Sequence, residues 1–276
     1  MTAIHRNQAR FLAASDGRPI AYYIDDFTPP WQPGPWLVLL HSAMGNSQRF
    51  FSWMPELAKH CRVLRFDLRG HGLSHKPLAH EPFSLERLTE DAVNLLDHLN
   101  IGQAHIVGNS AGGYVAQQLA IHHPERCLSL VTVGSTPGLT PAVQEWFPAM
   151  KAEGYTNFLR RTIAARFDLD KTDPGLVEWF LEQTAEQDPE FMVRFIHHMS
   201  TRAWGPDLAN VRCPTLVIYP GDEPVGGADA YGPYREFVKD LEMREYEHMP
   251  HNIADMLPER CVADTLDFLR RKAGLT

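Results

Sequence analysis

The stretch Gly108-Asn109-Ser110-Ala111-Gly112 is a complete G-x-S-x-G motif between a predicted strand and a predicted helix. Residues 104–107 form a short apolar run, which is typical of a buried strand, and residues 113–120 follow with a helical pattern. A tight turn at this junction would expose the Ser110 hydroxyl, and small residues at both ends would let the strand and the helix approach closely. The motif therefore predicts a nucleophilic serine at a strand-to-helix turn.

Strand and helix patterns alternate on both sides of this motif. Apolar or alternating runs predict eight strands, at residues 10–14, 19–24, 36–40, 62–66, 104–107, 128–133, 214–219 and 242–246. Helical patterns between them are clearest at residues 84–99 and 258–272. Because such alternation is typical of a parallel sheet with helices on both faces, we expect an α/β fold with a mostly parallel, doubly covered, eight-stranded sheet.

The strand–helix alternation stops between residues 137 and 205. This block is helical in character and rich in large aromatic side chains. We interpret residues 137–205 as a helical lid, inserted after the sixth strand over the carboxyl edge of the sheet, where ligands bind in such folds. Residues 1–136 and 206–276 would then form the core domain. The candidate substrate-binding residues of this lid are Trp146, Trp179 and Trp204.

The residues after the motif supply candidates for the base that a serine nucleophile needs. The base is usually a histidine oriented by a carboxylate, and with a G-x-S-x-G turn the chain order is serine, acid, histidine. His248 and His251 both precede the last predicted helix. We favour His251 because Pro258 follows it by seven residues, a spacing that is common in proteins of this fold.

Two adjacent carboxylates, Asp222 and Glu223, follow the strand at residues 214–219. The prolines at 214 and 224 set the register of this segment, and that register puts Glu223 at the usual position of the acid. We therefore favour Glu223 and keep Asp222 as the alternative. The position usually holds aspartate, and a small backbone shift can absorb the longer glutamate side chain.

Acyl transfer also needs two backbone N–H groups to stabilise the negative charge that develops on the substrate oxygen. One should be Ala111, which follows the nucleophile. The other should come from the small residues in the loop at 41–47, where we favour Ala43 and keep Ser42 as the alternative.

The composition argues against several classes of protein. A formal charge of −8 without a basic run does not favour nucleic-acid binding, and no segment approaches the ~20 apolar residues that span a membrane. We expect no metal, because no third ligand is spaced to match the histidine pairs at 122–123 and 197–198. Widely separated cysteines indicate a reduced, cytoplasmic protein. These cysteines are Cys61, Cys127, Cys213 and Cys261.

Several segments together resemble the α/β-hydrolase superfamily. They are the His41-Ser42 loop, the Asp67-x-Arg69-Gly70-His71-Gly72-x-Ser74 loop, the G-x-S-x-G turn, and His251 before Pro258. The first half of the chain is most similar to 3-oxoadipate enol-lactonases, which share the loop start, the run at residues 62–72 and the His-Pro-Glu-Arg sequence at 123–126. Asn109, Ala111 and Glu223 depart from the usual enol-lactonase pattern.

The resemblance implies the α/β-hydrolase fold and a cofactor-free serine hydrolase that cleaves a small ester or lactone through an acyl-enzyme on Ser110. It also implies that the loop at residues 67–72 is structural rather than catalytic. The expected partner is a small-molecule substrate. The sequence gives no basis for predicting the oligomeric state. Three other functions stay open: hydrolysis of a carbon–carbon bond in a ring-cleavage product, cofactor-free dioxygenase chemistry, and ligand sensing on the same fold.

Overall fold

The computed structural model describes residues 8–138, 144–225 and 227–275 of the 276-residue chain. Its strands are β1 (Arg10–Ala13), β2 (Pro19–Asp25), β3 (Trp36–Leu40), β4 (Arg62–Phe66), β5 (Ala104–Asn109), β6 (Cys127–Val133), β7 (Thr215–Pro220) and β8 (Leu241–Tyr246). They form one eight-stranded sheet in the order β1-β2-β4-β3-β5-β6-β7-β8. β2 runs antiparallel to β1 and β4, whereas β3 to β8 pair in parallel. This sheet confirms the predicted fold class.

Helices connect the strands and cover both faces of the sheet. They are α1 (Met54–His60), α2 (Leu85–His98), α3 (Ala111–His122), α4 (Trp146–Glu153), α5 (Tyr155–Arg161), α6 (Pro174–Ala185), α7 (Pro189–Ser200), α8 (Gly232–Phe237), α9 (Ile253–Met256) and α10 (Pro258–Lys272). In β3, Leu37 and Leu39 face a buried cluster that includes α1 and α10. Val38 and Leu40 face the opposite cluster, which includes α2 and α3. Because both faces are covered, β3 is a continuous apolar run.

Capping side chains mark the starts of several helices, among them α2 and α7. Ser84 precedes α2, and its hydroxyl accepts a hydrogen bond from the Arg87 N–H at 3.2 Å. Asp188 precedes α7, where its carboxylate accepts from two amides of the first turn. Pro189 occupies the first turn of α7, where a missing N–H leaves no helical hydrogen bond unmade.

The helices α4 to α7 lie between β6 and β7 in the chain, within the aromatic block. α7 packs on the loop after β4, where the centroid of the Phe195 ring lies 5.1 Å from that of the His71 ring. α6 packs on the loop after β3, where the Asn46 amide donates to Gln183 at 2.7 Å. Both loops follow the carboxyl ends of parallel strands, so α6 and α7 cover that edge of the sheet.

Cys61, Cys127, Cys213 and Cys261 are all buried and free. Within the ranges 8–138, 144–225 and 227–275, no helix has the length and apolar character needed to cross a membrane.

Candidate active site

Ser110 lies at the turn between β5 and α3. Its φ of 51° and ψ of −118° are rare for a residue with a side chain, so the turn is strained. Two hydrogen bonds hold it: the Ser110 N–H donates to the Val133 carbonyl at 2.9 Å, and the Ser135 hydroxyl donates to the Ser110 carbonyl at 2.8 Å. A Cβ at Gly112 would lie 2.1 Å from the Leu40 carbonyl oxygen, so only glycine lets the helix approach β3 this closely.

His251 lies on the loop between β8 and α9 and reaches Ser110. The His251 Nε2 is 3.0 Å from the Ser110 Oγ, which is hydrogen-bond distance. His248, the alternative base, is exposed and does not line the space beside Ser110. The structure therefore brings His251, and not His248, to the serine.

Glu223 lies beside His251, with its carboxylate oxygens 2.9 and 3.0 Å from the His251 Nδ1. The same carboxylate accepts from the Val225 N–H and the Tyr231 hydroxyl, each at 3.0 Å. Burial alone would raise the pKa of Glu223, but the nearby His251 and these hydrogen bonds outweigh burial and hold that pKa below its usual value. Asp222, the alternative acid, is exposed. The carboxylate that meets the histidine is thus Glu223.

The residues expected to supply backbone donors, Ala43 and Ala111, both border the space beside Ser110. Within the described residues, neither of their N–H groups donates a hydrogen bond to another protein group. Ser42 borders the same space, and its buried hydroxyl also has no partner in the described part of the chain. Two free amides flanking one serine are what an oxyanion hole requires.

Buried side chains hold the loop at residues 42–44 by its carbonyl groups. The carbonyls of residues 42, 43 and 44 pair with His41, His71 and an Arg49 N–H at 2.7, 3.0 and 2.8 Å. Because a peptide carbonyl and the following N–H point in opposite directions, the amides of this loop point away from those side chains. Burial lowers the pKa of both histidines, which favours neutral rings. His71 therefore supports the loop, in agreement with a structural role for residues 67–72.

A narrow cavity of about 40 Å³ lies beside Ser110 and His251. Its walls come from the loop at 42–44, from the start of α3, and from α4 and α7, and they are mostly apolar. The lining residues are Ser42, Ala43, Met44, Ser110, Ala111, Tyr114, Trp146, Arg166, Phe195, Ile196, Met199, Val225, His251 and Asn252.

Of the three tryptophans expected in the pocket wall, the structure places Trp146 at the cavity. Trp179 instead packs against Phe51, with the ring centroids 5.3 Å apart, and borders a separate surface groove. Trp204 is buried behind the wall, where its indole N–H donates to Gln117 at 2.8 Å. Contrary to the prediction from the sequence, the structure therefore does not place Trp179 and Trp204 at this cavity, because both rings pack against other parts of the protein.

Two polar residues at the cavity, Arg166 and Asn252, are not singled out by the sequence pattern. Asn252 follows His251 directly, and that position is the only signal by which sequence reasoning could have found it. Nothing in the sequence distinguishes Arg166 from other arginines of the helical block. Its burial, and the absence of a carboxylate partner among the residues that the structure describes, both depend on tertiary packing.

Comparison with known proteins identifies the class. The sequence model of the alpha/beta hydrolase fold family matches residues 35–255 of this chain. The chain therefore belongs to the α/β-hydrolase fold family, which confirms the resemblance inferred from the motifs.

Individual relatives include esterases and lactonases. A pimeloyl-[acyl-carrier protein] methyl ester esterase of Aeromonas hydrophila is 37% identical over 172 residues, 56% of this chain and 64% of that protein. The 3-oxoadipate enol-lactonase 2 of Acinetobacter baylyi is 32% identical over 169 residues, 59% of this chain and 62% of that protein. The matches thus span less than two thirds of the length of these relatives. A solved structure of a hydrolase from Pseudomonas aeruginosa is 29% identical, with a TM-score of 0.84 over 95% of this chain and 98% of that one.

Proposed function

We propose that this protein is a cofactor-free serine hydrolase that cleaves a small ester or lactone through an acyl-enzyme on Ser110. One observation carries the proposal: a continuous series of hydrogen bonds runs from the Ser110 hydroxyl through the His251 ring to the Glu223 carboxylate. This is the arrangement that turns a weak nucleophile into an effective one.

Each group would have a defined part in the reaction. His251 Nε2 takes the proton from Ser110 as the serine oxygen attacks the substrate carbonyl, and Glu223 stabilises the charged ring. The amides of Ala111 and Ala43 stabilise the oxyanion of the tetrahedral intermediate. His251 then protonates the leaving alcohol, and water, activated by the same ring, releases the acyl group.

The size and apolar lining of the cavity favour a small acyl group. Helices α4 and α7 supply part of the wall, so we also propose that residues 137–205 act as a cap over a core made of residues 1–136 and 206–276. The esterase and the enol-lactonase among the relatives agree with this substrate class.

Labelling with a fluorophosphonate probe tests the proposal directly. We expect one covalent adduct, mapped to Ser110, with loss of esterase activity in proportion to labelling. The Ser110→Ala variant should fold normally and take up no label. Labelling of the wild type at another residue, or equal labelling of the variant, would rule the mechanism out.

A substrate panel then separates the remaining functions. Short esters and lactones test the proposal, and diketone acids from ring cleavage test carbon–carbon bond hydrolysis, which the same three residues can perform. Oxygen consumption with a heteroaromatic substrate would indicate dioxygenase chemistry. Slow single-turnover labelling with a large conformational change would indicate a ligand sensor.

A further inference from the structure

Arg166 is a buried arginine at the wall of the active-site cavity. Arg166 is only 2% exposed, and it lies on the segment between α5 and α6. Its guanidinium contacts the carbonyl and hydroxyl oxygens of Thr162, at 3.4 and 3.2 Å, and lies 5.6 Å from the centre of the Trp146 ring. Within residues 8–138, 144–225 and 227–275, no carboxylate lies within ion-pair distance of it.

Other buried arginines of this protein are paired. Arg49 pairs with Asp255, and Arg69 pairs with Asp91 and Asp16. A buried cation without a partner destabilises the folded protein, so such a group is rarely retained for the sake of the fold. Burial lowers the pKa of Arg166 to about 10, and in the described residues no paired carboxylate offsets that burial.

The nearby carboxylate of Glu223 does not meet this need. Its oxygens already accept from His251, Val225 and Tyr231, and it is not within ion-pair distance of the guanidinium. The field of Glu223 reaches Arg166 only as a weaker, longer-range attraction. Among the described residues, the guanidinium therefore has hydrogen bonds only to Thr162, through Nη1, and its other N–H groups have no protein acceptor.

Asn252 lines the same cavity and carries a second buried polar group without a partner among the described residues. The residue is 7% exposed, and its side-chain Nδ2 is buried with no hydrogen-bond partner in the described residues. Its backbone N–H donates to the Arg166 carbonyl at 3.0 Å, which joins the two residues across the cavity wall. A buried amide without an acceptor is destabilising unless a ligand supplies one.

We propose that Arg166 and Asn252 form an anion subsite that binds a carboxylate of the substrate, so that the enzyme acts on half-esters of short dicarboxylic acids. This inference rests on the proposed function and names its substrate class. A carboxylate is planar and matches the fork of a guanidinium, with an oxygen left to accept from the amide. Because the subsite and Ser110 share one narrow cavity, the bound carboxylate would hold the ester carbonyl of a short acid against the serine.

The kinetic test compares methyl hydrogen glutarate with the methyl ester of glutaric monoamide, which has the same shape but no charge. We expect kcat/KM of the wild type to favour the charged ester by roughly 10- to 100-fold, as for hydrogen bonds to a charged group. In Arg166→Gln the ratio should fall to near one. Arg160→Gln, which changes an exposed arginine paired with Glu178, should keep the wild-type ratio. A wild type without this preference, or an Arg166→Gln variant that keeps it, would overturn the proposal.

Asn252→Asp is the second variant, since it adds a carboxylate to the cavity that Arg166 also lines. We expect the pair to form, the melting temperature to rise, and the preference for the charged ester to be lost. Arg166→Gln should likewise melt at or above the wild-type temperature when no ligand is present, because it removes an unpaired buried charge. A large fall in both melting temperatures with an unchanged ester ratio would instead show that the two residues support only the fold.

A binding measurement tests the anion subsite independently of the proposed hydrolytic mechanism. Calorimetry with glutarate and the Ser110→Ala protein should show one site, and the double variant with Arg166→Gln should bind at least about 10-fold more weakly. Glutarate binding that depends on Arg166, without cleavage of any ester, would leave the subsite in place and refute the proposed function. Cleavage of neutral esters without glutarate binding would support the proposed function and refute the anion subsite.

Discussion

Arg49 and Asp255 form a buried ion pair that joins the loop after β3 to α9, the short helix after His251. The Arg49 Nε donates to the Asp255 Oδ1 at 2.8 Å, and a second bond links the other guanidinium arm to Oδ2. The two side chains are 2% and 3% exposed. The same arginine donates to the Met44 carbonyl at 2.8 Å. One side chain thus fixes the loop that carries the proposed oxyanion donor relative to the segment that carries the proposed base.

Loss of this pair should destabilise the whole protein. Asp255→Ala leaves the Arg49 charge buried without a partner, so we expect the free energy of unfolding to fall by about 3–5 kcal/mol. Urea unfolding measures this change. Lys59→Gln breaks an exposed pair with Glu56 and should change stability by less than about 1 kcal/mol. Equal effects of the two substitutions would contradict a structural role for the buried pair.

Ser110→Ala should abolish turnover without loss of structure. If the serine oxygen forms the acyl-enzyme, its removal should lower kcat by at least about 10⁴-fold. Steady-state kinetics with a short ester, together with a thermal melt within a few degrees of the wild type, checks both parts. Activity near the wild-type level would exclude Ser110 as the nucleophile.

Glu223→Gln should lower kcat strongly while the fold stays intact. The amide can still hydrogen bond to His251 but cannot stabilise the charged ring or fix its tautomer, so a loss of roughly 10²–10⁴-fold is expected. Asp222→Asn is the matched control, because this neighbour is exposed. If the control loses as much activity as Glu223→Gln, the acid has been assigned to the wrong residue.

His105 should make the protein less stable in mild acid. It is buried in β5 with its Nδ1 2.9 Å from the Ser129 hydroxyl, and burial lowers its pKa to about 4 from an ordinary value of 6.5. As the pH falls below 6.5, the unfolded chain takes up a proton that the folded protein refuses until about pH 4. Folding therefore becomes less favourable across this window, by about 2 kcal/mol between pH 7.5 and 5.

The variant His105→Asn tests this pH dependence, since asparagine can keep a hydrogen bond to Ser129 but does not titrate. Urea unfolding of each protein at pH 7.5 and 5 gives the loss of stability on acidification. That loss should be smaller in the variant by about 2 kcal/mol. Identical losses in the two proteins would show that His105 does not contribute.

Much of the architecture could be predicted from the sequence because its signals are local. The apolar run of β3, the Ser84 cap of α2 and the G-x-S-x-G turn each depend on residues a few positions apart. The spacing of His251 from Pro258 is of the same kind. The order of these elements along the chain predicted an α/β fold, and the motifs within them identified the resemblance to the α/β-hydrolase superfamily.

Only the tertiary structure decided which side chains share one space. Glu223 and Asp222 are neighbours in sequence, yet Glu223 is buried against His251 and Asp222 is exposed. Trp146 and Trp204 belong to one aromatic block, yet Trp146 lines the cavity and Trp204 does not. Arg166 is buried like Arg49 and Arg69, but unlike them it has no carboxylate within ion-pair distance among the described residues. Burial and pairing arise from contacts between segments far apart in the chain, so no local pattern encodes them.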